Sequence, residues 1–341
     1  MRSLREFSKM AGVSPATVSR VFSNSDTISA ATAQRIRELA QSVGFRPNAV
    51  SRAAFGGATR SIGILLPDLS TSFFNDIAIG LQQRLLQDDY LPMVLQYAGV
   101  TGGESRAVRR LVDHRVDGLV LSLTNESLTP DDFATMLKAH LPMALVGGFQ
   151  DSLSADTICN NGVQGSQLVA EHLIRLGHRS FGFCYYGDGH STCDARLSGF
   201  REVLNNNGLL LRGQDISRLP PHVADPVEAH RTHLRAVLSR PDRPTAIFAS
   251  TDHLATDVYA VAREMNLRIP EDLSVVGYAN LNFSSLIYPP LTTVRECGRE
   301  MGEQAAVVIL ERLQHPRSPR RAVTIPSELV LRASTAPPNS Q

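Results

Sequence analysis

The sequence predicts a small all-α head, a short linker and an α/β body of two doubly wound parallel-sheet lobes. Three observations carry this. Residues 1–60 contain three short amphipathic helical patterns and nine Arg and Lys against three Asp and Glu, whereas the remainder is mildly acidic. From Ser61 onward, short apolar runs alternate with amphipathic stretches, the order that produces parallel sheets covered by helices on both faces. That stretch is about 275 residues long, more than one such sheet and its core usually take, so it divides into two lobes.

The composition excludes several classes. Of 341 residues, 43% are hydrophobic and 20% charged, ordinary values for a core-forming chain. No apolar run approaches the ~20 residues needed to span a bilayer, so no membrane partner is expected. The opening MRSLREFSKM has no apolar signal-peptide segment, and a cytoplasmic chain is the expectation. Cys159, Cys184, Cys193 and Cys297 form no CxxC and read as buried small residues. No nucleophile elbow, phosphate loop, zinc motif or dinucleotide fingerprint occurs, so neither an enzyme nor a cofactor or metal is expected. His230 and His233 lack an evident third ligand and read as a solvated helix face.

In the head, the first helix covers about 4–10, with Leu4, Phe7 and Ala11 on one side. Gly12 breaks it; Ser14 caps the next helix, which starts at Pro15 and ends near Phe22. Ser29 caps a third helix carrying Ile36, Leu39, Ala40 and Val43 inward, with Gly44 at its end. This spacing fits a helix-turn-helix and a plain three-helix core equally well. The outward face of the second helix separates them. Pro15 and Ala16 are small and lie at its N-terminal end, while Thr17, Ser19 and Arg20 are polar. Arg20 suits bidentate reading of guanine in the major groove, and Thr17 and Ser19 suit phosphate.

The string MAGVSPATVSRVFSNSDTISAATAQRIRELAQSVGFRPNAVSR resembles the head of the LacI/GalR family of transcriptional repressors. That resemblance assigns base contacts to Pro15, Ala16 and Arg20. Since Pro15 and Ala16 offer only van der Waals contact, operator preference leans on Arg20. Residues 1–46 are then the DNA-binding domain and 47–60 the hinge, where Asn48 caps a short helix over 49–54. Composition alone makes this an ordinary linker; the resemblance makes it a minor-groove element that includes Arg52. The family's leucine wedge is absent. Ala54 stands there and cannot wedge, so the neighbouring Phe55 is the expected substitute.

The body strings LLPDLSTSFF, HRVDGLVLS, EHLIRLGHRSFGF, ARLSGF, STDHLATDVY, IPEDLSVVGY and PPLTTVRE are similar to the same family's periplasmic-binding-protein-like core. The resemblance implies three crossings between lobes, near Asn160, Pro290 and Val323. The first lobe then takes 61–160 plus 291–322 and the second 161–290 plus 323–335, with 336–341 a disordered tail. Strands are expected at IGILLP, MVLQYA, GLVLSL, MALVG, FGFCYY, AIFAS and SVVGY. Helices are expected near 73–87, 103–114, 133–139, 164–176, 196–204, 227–238 and 254–265.

Facing α/β lobes place ligands at the carboxyl ends of their strands. There the resemblance points to Phe73 and Phe74, one for the core and one for a ligand, and to Arg196, Thr251, Asp252, Asn280 and Glu296. A frequent pocket Asp is replaced by Ala279. The expectation is that Arg196 is without one carboxylate usual in the pocket and that the effector is anionic, a sugar acid or sugar phosphate rather than a neutral sugar, while Glu296, where the family often has Gln, pushes the other way. Taken together, the sequence predicts a homodimeric repressor of carbohydrate or sugar-acid genes. It binds pseudo-palindromic double-stranded operator DNA and answers to a small molecule in the cleft. Two other readings share parts of this pattern: the same head under a protein corepressor with a vestigial cleft, and a solute-binding protein.

Overall fold

The computed structural model describes residues 4–22, 28–45, 58–97, 102–123, 131, 141–147, 155–186, 191–219 and 225–339. The expected helix at 133–139 and most of the hinge lie outside these residues.

The head consists of α1 (Leu4–Ala11), α2 (Pro15–Phe22) and α3 (Ala30–Ser42). Gly12 adopts φ +66°, the left-handed conformation that lets the chain reverse between α1 and α2. The Ser14 hydroxyl accepts the Thr17 amide at 3.1 Å, and Ser29 accepts that of Thr32 at 3.3 Å, satisfying amides that the first helical turns leave unpaired. Phe7, Val18, Val21, Ile36 and Ala40 form one core. Phe45, just past α3, closes it by stacking on Phe7 with ring centroids 4.0 Å apart.

The first lobe is built on the strands β1 (Ser61–Leu66), β2 (Leu91–Gln96), β3 (Gly118–Leu121), β4 (Met143–Val146), β5 (Asp156–Asn160) and β11 (Ala322–Ile325). They form one parallel sheet in the order β11-β5-β4-β3-β1-β2. The second lobe uses β6 (Phe181–Tyr186), β7 (Ile216–Leu219), β8 (Ala246–Ala249), β9 (Ser274–Ala279), β10 (Thr292–Arg295) and β12 (Glu328–Val330), in the order β12-β10-β9-β8-β6-β7. It is parallel except for β12, which runs against β10. The helices that follow in the chain are α4 (Ser72–Gln87), α5 (Gly103–Asp113), α6 (Gly162–Arg175), α7 (Ser191–Asn206), α8 (Pro226–Leu238), α9 (Asp252–Glu264) and α10 (Gly298–Gln314). Central strands such as β1, β3, β4 and β8 are buried along their whole length, as strands covered on both faces must be.

The lobe boundaries need correction. β10 pairs with β9, so residues 292–295 belong to the second lobe, and the chain crosses at 296–297 instead of near Pro290. β11 pairs with β5, so 322–325 belong to the first lobe, and the last crossing falls at 326–327 instead of Val323. In each case a parallel strand is completed before the chain leaves its sheet. The tail also departs from expectation. Ala336 donates its amide to Ser274 Oγ at 3.1 Å and accepts from His178 Nε2 at 3.0 Å, and Asn339 donates to Asp272 at 3.4 Å. Residues 334–339 therefore form a strap across the start of β9, held through the Ala336 backbone and the Asn339 side chain.

Helix α10, which the sequence reading did not place, packs its length against α4 in the first lobe. The two backbones meet closely. A Cβ on Gly80 would stand 2.1 Å from Arg299 O, and one on Gly302 would stand 2.2 Å from Ile77 O. Because α10 begins directly after the second crossing, this packing fixes where the crossing segment lies against the N-terminus of α4.

Candidate DNA interface and interlobe ligand site

On α2, Arg20 is exposed, whereas Pro15, Ala16 and Thr17 are half-buried at the N-terminal end. The Thr17 hydroxyl lies 2.9 Å from Ser14 Oγ, so part of its bonding capacity is used within the cap. Ser19 does not share the outward face. It is 3% exposed, because α2 is clasped by both α1 and α3 and Ser19 follows Val18 on the enclosed side. Its expected phosphate contact is corrected accordingly. Asn48, Arg52, Ala54 and Phe55 lie outside the described residues.

Between the lobes, at the carboxyl ends of their strands, is a cavity of about 310 Å³. Ser72, Phe73 and Asp76 of α4 form one wall, and Ala279 and Asn280 at the end of β9 form another. The crossing segment from Arg295 to Glu300 closes it. Phe73 lines the cavity; Phe74 does not, and packs on the first-lobe core with its ring centroid 5.1 Å from that of Phe73. Sequence reasoning missed Ser72, Asp76, Arg295 and Arg299. Asp76 was recoverable, since it lies three residues beyond Phe73 on the same helical face. Burial raises the Asp76 carboxyl above its ordinary value, against the pull of Arg299.

The polar residues expected in the cleft divide. Asp252 is fully buried and accepts from the Leu281 amide at 2.7 Å, Ser284 Oγ at 2.6 Å and Thr293 Oγ1 at 2.5 Å. Burial raises its carboxyl while these three donors hold it down. Asp252 thus ties α9 to β10 and to the β9–β10 connection and is not among the residues that line the cavity. The helix cap is Thr251, whose hydroxyl accepts the Leu254 amide at 3.3 Å. Asn280 lines the cavity at φ +54°, but its Oδ1 is taken by Arg332 Nη2 at 2.6 Å. His230 is buried, with Nδ1 3.1 Å from Asp257 Oδ2, which corrects its reading as a solvated residue.

Arg196 is 5% exposed and does not line the cavity. It donates through Nη1 to Ser250 O at 2.6 Å and through Nη2 to Glu296 Oε1. Its Cζ lies 3.7 Å from the centroid of the Tyr278 ring, a cation–π contact that the sequence reading did not anticipate. Burial opposes its charge, yet Glu296 and Tyr278 hold the guanidinium above its ordinary value. Burial pushes the Glu296 carboxyl up, and Arg196 pulls it back. Asn160 Nδ2 reaches both Glu296 Oε1 and the Tyr278 hydroxyl at 3.4 Å. Ser327 lies 3.3 Å from that hydroxyl, so groups at all three crossings join one polar cluster.

Comparison with known proteins gives this architecture its kin. Residues 3–48 match the family model described as bacterial regulatory proteins, lacI family, and residues 170–335 match a periplasmic binding protein-like domain. The HTH-type transcriptional repressor PurR of Aliivibrio salmonicida (strain LFI1238) is 30% identical over 338 residues, covering 98% of this chain and 99% of that protein. This chain belongs to the lacI family of bacterial regulatory proteins. A solved lacI-family regulator from Mycobacterium smegmatis is 29% identical, with TM-score 0.71, over 82% of this chain and all of that one (100%). The Lac repressor dimer bound to operator and the anti-inducer ONPF, 24% identical, matches the fold with TM-score 0.77 over 98% of this chain and 99% of its own.

Within this lacI-family framework one sequence expectation loses its premise. Arg196 was expected to be without one carboxylate usual in the pocket because Ala279 replaces the frequent Asp. The structure gives it Glu296, from a segment 100 residues further along the chain. The anionic-effector expectation rested on an unpaired guanidinium and is withdrawn.

Proposed function

We propose that this lacI-family chain is a cytoplasmic, homodimeric transcriptional repressor that acts by binding, without catalysis. In this reading α2 enters the major groove of a pseudo-palindromic operator, and a small hydroxylated molecule between the lobes controls occupancy. The observation that carries the reading is the build of α2. Val18, Ser19 and Val21 lock one side into the head, and the other presents small Pro15 and Ala16 beside the exposed guanidinium of Arg20. Such a face fits a groove wall closely and leaves one side chain to report guanine.

The body supplies the control. Its cavity has α4 of the first lobe on one side, the end of β9 of the second on the other and the second crossing between them, so a ligand that touches both walls binds one lobe arrangement better than another and shifts the equilibrium between them. Among the described residues, no helix is long and apolar enough to cross a membrane. Leu286 and Tyr288 on the second lobe are 81% and 93% exposed, an apolar pair suited to cover by a second copy. The Lac repressor that shares this fold is a dimer on its operator, which supports the same arrangement here.

The experiment is selection of bound duplexes from a random library by the full chain, with sequencing of the retained pool. Recovery of an inverted repeat supports the reading. A pool with no common motif, or one recovered equally without the head, refutes it.

A further inference from the structure

Glu296 stands at the second crossing with its side chain 7% exposed, on the wall of the interlobe cavity. Arg196, with the same side-chain exposure, lies behind it and donates to its Oε1. The remaining contacts of Arg196 are fixed by Ser250 O and the Tyr278 ring, while its Nε is buried with no hydrogen-bond partner among the described residues. Asn160 adds a 3.4 Å donor to the same Glu296 oxygen. The guanidinium is thus covered on its cavity side by a carboxylate belonging to the chain itself. The other cations on the wall also have acidic neighbours: Arg295 lies 3.8 Å from Glu300 and 3.1 Å from Glu328, and the Arg299 charge lowers the Asp76 carboxyl against burial.

We propose that Glu296 is the specificity-determining residue of this cavity. As the resident counter-ion of Arg196, it turns an anion seat into an acceptor for ligand hydroxyl or N–H groups, and it excludes carboxylates and phosphates. Arg196 is then a positioning residue that pairs with the Glu296 carboxylate and aims it. A ligand carboxylate has to evict Glu296 from its pair and leave it buried without a counter-charge, an arrangement that low-dielectric surroundings penalise strongly. A ligand hydroxyl needs no such exchange, because the pair stays intact and Glu296 accepts. The proposal rests on reading the cavity as the effector site and names the class of ligand admitted there.

The test uses the full chain with sodium D-gluconate as probe, sodium chloride at equal ionic strength as control, and thermal shift with calorimetry as readouts. The wild-type chain is expected to show no response to gluconate beyond chloride. Glu296→Gln uncovers Arg196 and is expected to gain about tenfold in gluconate affinity, the scale of one charge-assisted hydrogen bond. Glu296→Gln combined with Arg196→Gln is expected to lose that gain, which a purely structural role for Arg196 does not require. Gluconate binding equally to wild type and Glu296→Gln overturns the proposal, as does a gain that survives in the double variant. If Glu296→Gln does not fold, the wild-type chain decides alone: stabilisation by gluconate beyond chloride overturns the proposal, and indifference supports it. None of these readings involves DNA, so failure of the repressor reading, seen as absence of a selected duplex, is distinguishable from failure here.

Discussion

Thr293 in β10 donates a 2.5 Å hydrogen bond to Asp252 Oδ1 at the start of α9, and both side chains are completely buried. With the Leu281 amide and Ser284 Oγ on Oδ2, the carboxylate is a clamp between the two last parallel strands of the second lobe and the helix beside them. Asp252→Ala leaves three buried donors without an acceptor, at about 1–3 kcal/mol each before relaxation. We expect a total loss of about 3 kcal/mol in denaturant unfolding. Unchanged stability with altered ligand binding returns Asp252 to the ligand set.

Gly302, with Gly80 opposite, permits the close backbone approach between α10 and α4. A methyl group there meets Ile77 O at 2.2 Å, and backbone cannot swing aside as a side chain can. Gly302→Ala is expected to lower first-lobe stability by about 1–3 kcal/mol. The check is a thermal or urea melt, in which a midpoint equal to wild type contradicts the packing described.

His178 is 1% exposed and holds Thr245 and Ser274 hydroxyls and the Ala336 carbonyl at 2.9, 3.1 and 3.0 Å. Burial depresses its imidazole from 6.5 to about 4. Between those values the unfolded chain binds the proton and the folded chain does not, so stability rises with pH across the window and is lost as pH falls through it. The difference corresponds to about 3 kcal/mol. His178→Gln is expected to flatten the stability profile between pH 6.5 and pH 4. Profiles of equal slope in the two proteins contradict this assignment.

The strands that the sequence made legible carry continuous apolar runs, such as SIGILL, FGFCYY and SVVGYA. β5, β7, β10, β11 and β12 were not legible: they are three to five residues long, and Asp, Ser, Thr, Arg or Glu interrupts or borders their few apolar residues, which leaves no run to read. Helix α10 escaped because its AAVVIL stretch is apolar on several sides and has no clean 3.6-residue stripe. In the site, residue identities were visible but pairings were not. Arg196 and Glu296 lie 100 residues apart and come together only when the second lobe is assembled, so the sequence showed Glu296 as an acid near the cleft without showing that it pairs with Arg196. Ser19 misled for a related reason: one helix period assigns one buried stripe, whereas α2 is enclosed by two neighbours.

Operator recognition through Arg20 is the claim on which the account stands, and fluorescence anisotropy tests it directly. Wild type and Arg20→Ala are titrated at one fixed salt concentration against the duplex selected by the full chain and against a scrambled duplex. The account predicts that Arg20→Ala weakens binding to the selected duplex by about 1–3 kcal/mol, roughly ten- to a hundredfold, and binding to the scrambled one much less. Equal losses on both duplexes, or no loss on either, contradict it.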